Sequence, residues 1–196
     1  VFLTQHFLIN ITSVFSENLF NTLSHFMGNN PLVQFLLQPV LIFGVIFHFV
    51  MGFYLEILNA KSRTKNYSKY SGSSNASWIS RNMIFSGGVI LLFLVLHFID
   101  FWIPEMNYKY VEALPQDPNR YFEELVHKFE SPLRTFIYSL SFIFLALHLL
   151  HGFSSSFKTV GVNSKYYYLI QKATFIFSVA IPLGFIFIAI FHNLTS

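Results

Sequence analysis

LRTFIYSLSFIFLALHLLHGFSSSF, residues 133–157, carries a single charge, Arg134, and two histidines, His148 and His151. A helix needs about 20 apolar residues to cross the hydrocarbon core of a bilayer, and this stretch is long enough. Three others match it: Leu32–Leu58, broken only by Glu56; Met83–Ile103, with Asp100; and Ala173–Phe191. Val1–Phe15 is also free of charge but shorter, and the chain opens on Val. It reads as the truncated end of a first spanning helix. No small-residue cleavage site marks it as a signal peptide. The expectation is one all-α, integral-membrane domain over 1–196. Its five transmembrane helices fall at about 1–15, 32–58, 83–103, 133–157 and 173–191.

Composition agrees. The chain is 54% hydrophobic and 11% charged, with 26 Phe, whereas soluble domains carry about 25% charged residues. No cysteine is present, which removes disulfides, thiolate ligands and iron–sulfur clusters held by this chain. The Gly87-Gly88 pair lies inside an apolar helix, so it does not read as a phosphate-binding loop, and no nucleic-acid partner is expected.

The connecting segments differ in sign. Segment 59–81 holds Lys61, Arg63, Lys65, Lys69 and Arg81 without an acid, and 158–172 holds Lys158, Lys165 and Lys172, again without one. Segment 16–31 has no Lys or Arg, and in 105–134 four basic residues are diluted by six acids. The basic side of a membrane protein faces the cytoplasm, so 59–81 and 158–172 are expected there and 16–31 and 105–134 outside. Residues 16–28 space Leu19, Phe20, Leu23, Phe26 and Met27 as a surface amphipathic helix does, and 118–130 has a similar pattern.

Histidines within spanning helices are functional candidates. His6, His48, His97 and His148 stand on four different helices. At about 1.5 Å of rise per residue, His48 and His148 lie roughly 18 and 15 Å from the cytoplasmic ends of their helices. His97 lies roughly 24 Å from that side and 12 Å from the other, and His6 belongs to the outer half as well. Depth therefore pairs His48 with His148 and His6 with His97. Two neutral imidazoles approaching from opposite helices make the axial ligation of a low-spin haem. With no carboxylates beside these histidines, zinc or di-iron sites are poorly supported. Gly44 and Gly52 flank His48 by one turn, Gly152 follows His148 by one turn, and Gly87 and Gly88 lie where the inner group would lean. Glycines in this phase make room for a porphyrin. His25 and His127 fall in the outer segments, and His192 is expected at the outer interface. His151 advances about 300° around the axis from His148. The two do not face one metal, and His151 is expected to serve a propionate or a neighbouring helix.

The residues now on the page resemble the dihaem cytochrome b membrane anchor of succinate:menaquinone oxidoreductases and fumarate reductases, the type with one five-helix anchor polypeptide. The resemblance spans the chain: Gln5-His6; FNTLSHFMG (20–28); His48 with Gly52-Phe53-Tyr54; SRNM (80–83); HFIDF (97–101); and HLLHGFSSSFKTVG (148–161). It implies two haems b in a bundle of the first four helices. His48/His148 would hold the proximal haem and His6/His97 the distal one. It also implies a flavoprotein subunit bearing the dicarboxylate site and an iron–sulfur subunit on the cytoplasmic side. This chain would be the menaquinone-reactive subunit in a bacterial cytoplasmic membrane, serving a respiratory chain. Some dihaem fumarate reductases carry a transmembrane Glu two residues before the helix-four ligand. Here that position is Ala146, which favours the succinate-oxidising branch.

Polar residues around these positions take candidate roles. Arg81, Lys158 and Arg63 stand at the cytoplasmic rim as propionate partners. Asp100, one turn beyond His97, is a candidate proton relay for quinone chemistry, with His25 and Asn10 as further quinone-site candidates. Two other readings compete: a cytochrome b of the hydrogenase or formate dehydrogenase type, and a haem-free transporter or scaffold that uses the histidines as a proton relay.

Overall fold

The computed structural model describes residues 1–62, 83–159 and 167–196. Arg63, Arg81 and most of the two basic loops lie outside the described residues, as does the side chain of Lys158. The described chain is all-α. In chain order the helices are α1 (Phe2–Ile11), α2 (Glu17–Asn29), α3 (Gln38–Ser62), α4 (Met83–His97), α5 (Ile103–Met106), α6 (Arg120–Phe129), α7 (Pro132–Thr159) and α8 (Tyr167–Thr195).

Four helical runs are long and apolar enough to cross a membrane: 33–61, 83–111, 132–157 and 167–195. The protein is therefore a candidate multi-pass membrane protein. The runs 83–111 and 167–195 are markedly longer than hydropathy expected, and in 83–111 a wide turn carries the helix past a proline. Proline lacks the N–H that an α-helix needs and its ring crowds the preceding turn. Before Pro104 a π-helical stretch, Phe98–Trp102, opens the ladder, and the Ile103 N–H bonds the carbonyl of Phe98. Before Pro39 the stretch Val33–Leu37 does the same, with the Gln38 N–H on Val33. Past Pro104 a second π-helical stretch, Asn107–Val111, continues α5, so the expected boundary near 103 moves out to Val111. The run ends near Ala113, which adopts φ 49°. The last helix begins at Tyr167 rather than near 173. Nothing in 167–172 breaks a helix, and Gln171 donates to the Tyr167 hydroxyl one turn back.

α1 is ten residues long and runs into a 3-10 turn at Thr12–Val14. Ser16 then caps α2 by accepting from the Leu19 N–H. α2 and α6 are the two amphipathic segments of the expected outer loops, and they pack on each other. Phe122 N–H donates to Asn21 Oδ1 (2.9 Å), and Lys109 Nζ donates to the Gly28 carbonyl (2.7 Å). They form a cap over one end of the bundle rather than free loops, because each buries an apolar face: Phe20 from α2, Leu125 and Phe129 from α6.

The core lies beneath this cap. α7 and α8 share the most extensive interface, and α4 packs on α7 and α1 on α8. Tyr138, Phe142, Ile181, Phe185, Ile188 and Ala189 form its centre. Gly184 lets α1 in: a Cβ there would overlap the ring of Phe7. His192, expected at an interface, is 2% exposed and hydrogen-bonded to Ser13 Oγ at 2.8 Å. The cap covers it, with Phe122 edge-on to its ring. By contrast α3 stands at the margin and meets the rest chiefly through α4.

Candidate functional site

Two histidine pairs form between helices. His6 of α1 and His97 of α4 lie with ring centres 5.8 Å apart at 82°; His48 of α3 and His148 of α7 lie 6.0 Å apart at 81°. Both pairs join residues remote in sequence, and both are nearly perpendicular. Along α4, Ser86 touches the His148 ring and His97 touches the His6 ring. Ser86 and His97 stand eleven positions apart, roughly 16 Å of rise, so the pairs occupy two levels of one bundle.

The level near the cap is aromatic and dry. Phe93 and Phe101 pack on the His97 ring at 5.8 and 5.2 Å, and Phe185 lies 5.6 Å from His6. His97 Nδ1 is buried without a hydrogen-bond partner. Asn10 donates to the His6 carbonyl at 2.8 Å and lies 3.4 Å from its Nδ1. The other level is more open. His48 is exposed and His148 and His151 are half-buried. A Cβ added at Gly44, Gly52 or Gly88 would meet nothing within 4 Å. Gly152 does not share that space: a Cβ there would meet Met83 Cε at 3.6 Å, an ordinary van der Waals contact between α7 and α4. Gly87 faces the ligand candidate itself: a Cβ added there would meet His148 Cε1 at 3.7 Å.

Asp100 has surroundings that the sequence did not indicate. It is 2% exposed, accepts from the Tyr138 hydroxyl at 2.7 Å, and pairs with Arg134 at 3.3 Å and Lys128 at 3.9 Å. It is a carboxylate held by fixed donors, not a capping or solvated one. Tyr138 in turn lies 6.2 Å from the His97 ring, so the network reaches the first histidine pair. A buried Asp in an apolar run calls for a partner, and Tyr138 and Arg134 on the facing helix are the residues that answer it.

His25 sits elsewhere, in a cavity of about 360 Å³ between the cap helices and the 108–117 segment, lined also by Gln34, Tyr108, Lys109, Arg120 and Tyr121. Its Nε2 is 3.0 Å from the Asp117 carbonyl, and its ring is edge-on to Tyr121. Glu105 organises this pocket by accepting from Arg120, from Tyr121 at 2.7 Å and from Lys109 at 2.5 Å. Burial and the hydrogen bond to Glu105 both push the Tyr121 phenol above its ordinary range. Burial works against the Arg120 charge, but Glu105 and Glu124 outweigh it and hold the guanidinium more firmly protonated than usual. His25, Asn10 and Asp100 thus lie in three distinct polar surroundings.

No family model, curated protein or solved structure matches this chain. What the site does is therefore argued from its geometry. Among the described residues no cluster of three or more His, Asp or Glu gathers as a metal site; the histidines meet in twos. A metal bound by two imidazoles at about 2 Å from each nitrogen fits between rings whose centres lie 5.8 and 6.0 Å apart. The space beside Gly44, Gly52 and Gly88 suits a planar group at the His48/His148 level, whereas Phe185, Phe93 and Phe101 pack directly on the rings of the His6/His97 level.

Proposed function

We propose that this chain is the membrane-anchor cytochrome b of a succinate:menaquinone oxidoreductase, carrying electrons between an iron–sulfur partner and menaquinone. The observation that supports it most directly is the meeting of four histidines from four helices as two pairs at two levels. In this reading α1, α3, α4 and α7 form the haem-binding bundle.

His48 and His148 would hold one haem b, and His6 and His97 the other. A haem held by each pair would supply one-electron carriage. The side chains do the rest. Phe93, Phe101 and Phe185 exclude water around the pair nearer the cap. Asp100, Tyr138 and Arg134 place a fixed charge and a hydroxyl beside His97, where the coupling of quinone chemistry to protons needs polar groups. His25 lines the cavity between the cap helices and the 108–117 segment, open to a quinone headgroup. Arg81 and Lys158 would serve propionates at the rim remote from the cap, and His151 a propionate or a neighbouring helix. The excess of basic residues in 59–81 and 158–172 orients that rim toward the cytoplasm, where the flavoprotein and iron–sulfur subunits dock.

The test is a reduced-minus-oxidised absorption spectrum of the purified protein, expected to show bis-imidazole haem at two equivalents per chain. A haem-free chain overturns the reading. Co-purification with a subunit carrying covalent flavin separates this oxidoreductase from other membrane cytochromes b.

A further inference from the structure

Ser86 lies at the second turn of α4, 6% exposed, directly before Gly87-Gly88. Its Oγ is 2.9 Å from the Met83 carbonyl, to which it donates, and 3.2 Å from Nδ1 of His148. A hydroxyl has one hydrogen and two lone pairs. With the hydrogen committed to Met83, the oxygen is left only as an acceptor toward the ring. Nδ1 of His148 then carries the hydrogen, and Nε2 carries the lone pair. Gly87 lies beside the same ring: a Cβ added there would reach His148 Cε1 at 3.7 Å, an ordinary van der Waals contact.

We propose that Ser86 is a positioning residue that selects the tautomer of His148 and presents Nε2 as its metal-binding nitrogen. The proposal rests on the reading of His48 and His148 as haem ligands. Ligating imidazoles characteristically donate their other N–H to an acceptor, which fixes the ring and raises its basicity. In metal sites the loss of that acceptor weakens binding by about 10- to 100-fold. Here the acceptor is neutral and comes from a third helix, so α4 sets the ring that α7 carries. The interaction is absent at the other level, where His97 Nδ1 has no partner. The two haems should therefore differ in ligand basicity.

The experiment compares the purified complex carrying wild-type chain, S86A, S86T and H148A. Haem content, midpoint potentials by redox titration and the electron-paramagnetic-resonance signals of the ferric haems are measured for each. S86A is expected to raise the midpoint potential of one haem, because its imidazole becomes less basic, and to make that haem the more readily lost. The second haem stays at its wild-type potential. S86T, which keeps the hydroxyl, restores the first. The haem affected must be the one missing from H148A. Three results overturn the proposal: S86A leaves both haems as in wild type, S86T shifts them as S86A does, or the shift falls on the haem that survives in H148A. Absence of bis-imidazole haem from the wild-type complex overturns the cytochrome reading itself, which keeps the two failures distinct.

Discussion

The Tyr138 hydroxyl donates to Asp100 at 2.7 Å across the α4–α7 interface, with both residues 2% exposed. Arg134 and Lys128, the other partners of Asp100, keep about a third of their side chains in contact with solvent. They can be hydrated if the carboxylate is lost, whereas Tyr138 cannot. Removing Asp100 therefore costs mainly the stranded hydroxyl, and removing the hydroxyl strands one carboxylate oxygen. Either Y138F or D100A should destabilise the fold by about 1–3 kcal/mol. D100N, which still accepts from Tyr138, should cost less. Thermal unfolding in detergent measures this, and equal costs for D100A and D100N would refute the assignment.

The histidine pairs make a prediction of non-additivity. If each pair holds one haem, H48A and H148A each remove the same haem, and H48A/H148A together remove no more than either alone. H6A and H97A should act likewise on the other. Haem content and resolved potentials in the difference spectrum decide it. Four independent partial losses would mean that the pairs are only packed rings.

A Cβ at Gly184 would overlap the Phe7 ring, which also packs edge-on to Phe185. G184A should therefore drive α1 away from α8 and cost about 1–3 kcal/mol, the usual penalty for overpacking. F7L, which empties that space, should recover part of the loss in the double variant. Additive costs would place the glycine's role elsewhere.

Ser13 and His192 join the first and last helices. Ser13 Oγ donates to the Asn10 carbonyl at 2.7 Å, so it accepts from His192 Nε2. S13A leaves a ring N–H without a partner beneath the cap and should cost about 1–3 kcal/mol. A double-mutant cycle with H192F should show that most of this cost vanishes once the ring N–H is gone.

Some of the site was legible residue by residue. The depths of His48, His97 and His148 follow from counting along their own helices, since rise per residue is a local property. Asp100 announced itself as a charge in an apolar run, but its role did not, because the partner that defines it stands 38 positions away. Ser86 passed unnoticed: a serine in a membrane helix is unremarkable until a particular imidazole is seen against it. Gly152 shows the opposite failure. Its spacing from His148 suggested room for a cofactor, yet the rotation of α7 aims it at Met83.

From its own pattern, then, the chain determined its class: all-α, with four runs long and apolar enough to span a membrane, because backbone hydrogen bonds in hydrocarbon must be satisfied within each segment. Tertiary structure alone decided which rings meet, which carboxylate is paired, and that segments 17–29 and 120–129 close over one end instead of trailing as loops. Hydropathy sums over about 20 residues and is indifferent to rotation about the helix axis. The contacts that make a site depend on that rotation, and only the packing of one helix against another sets it.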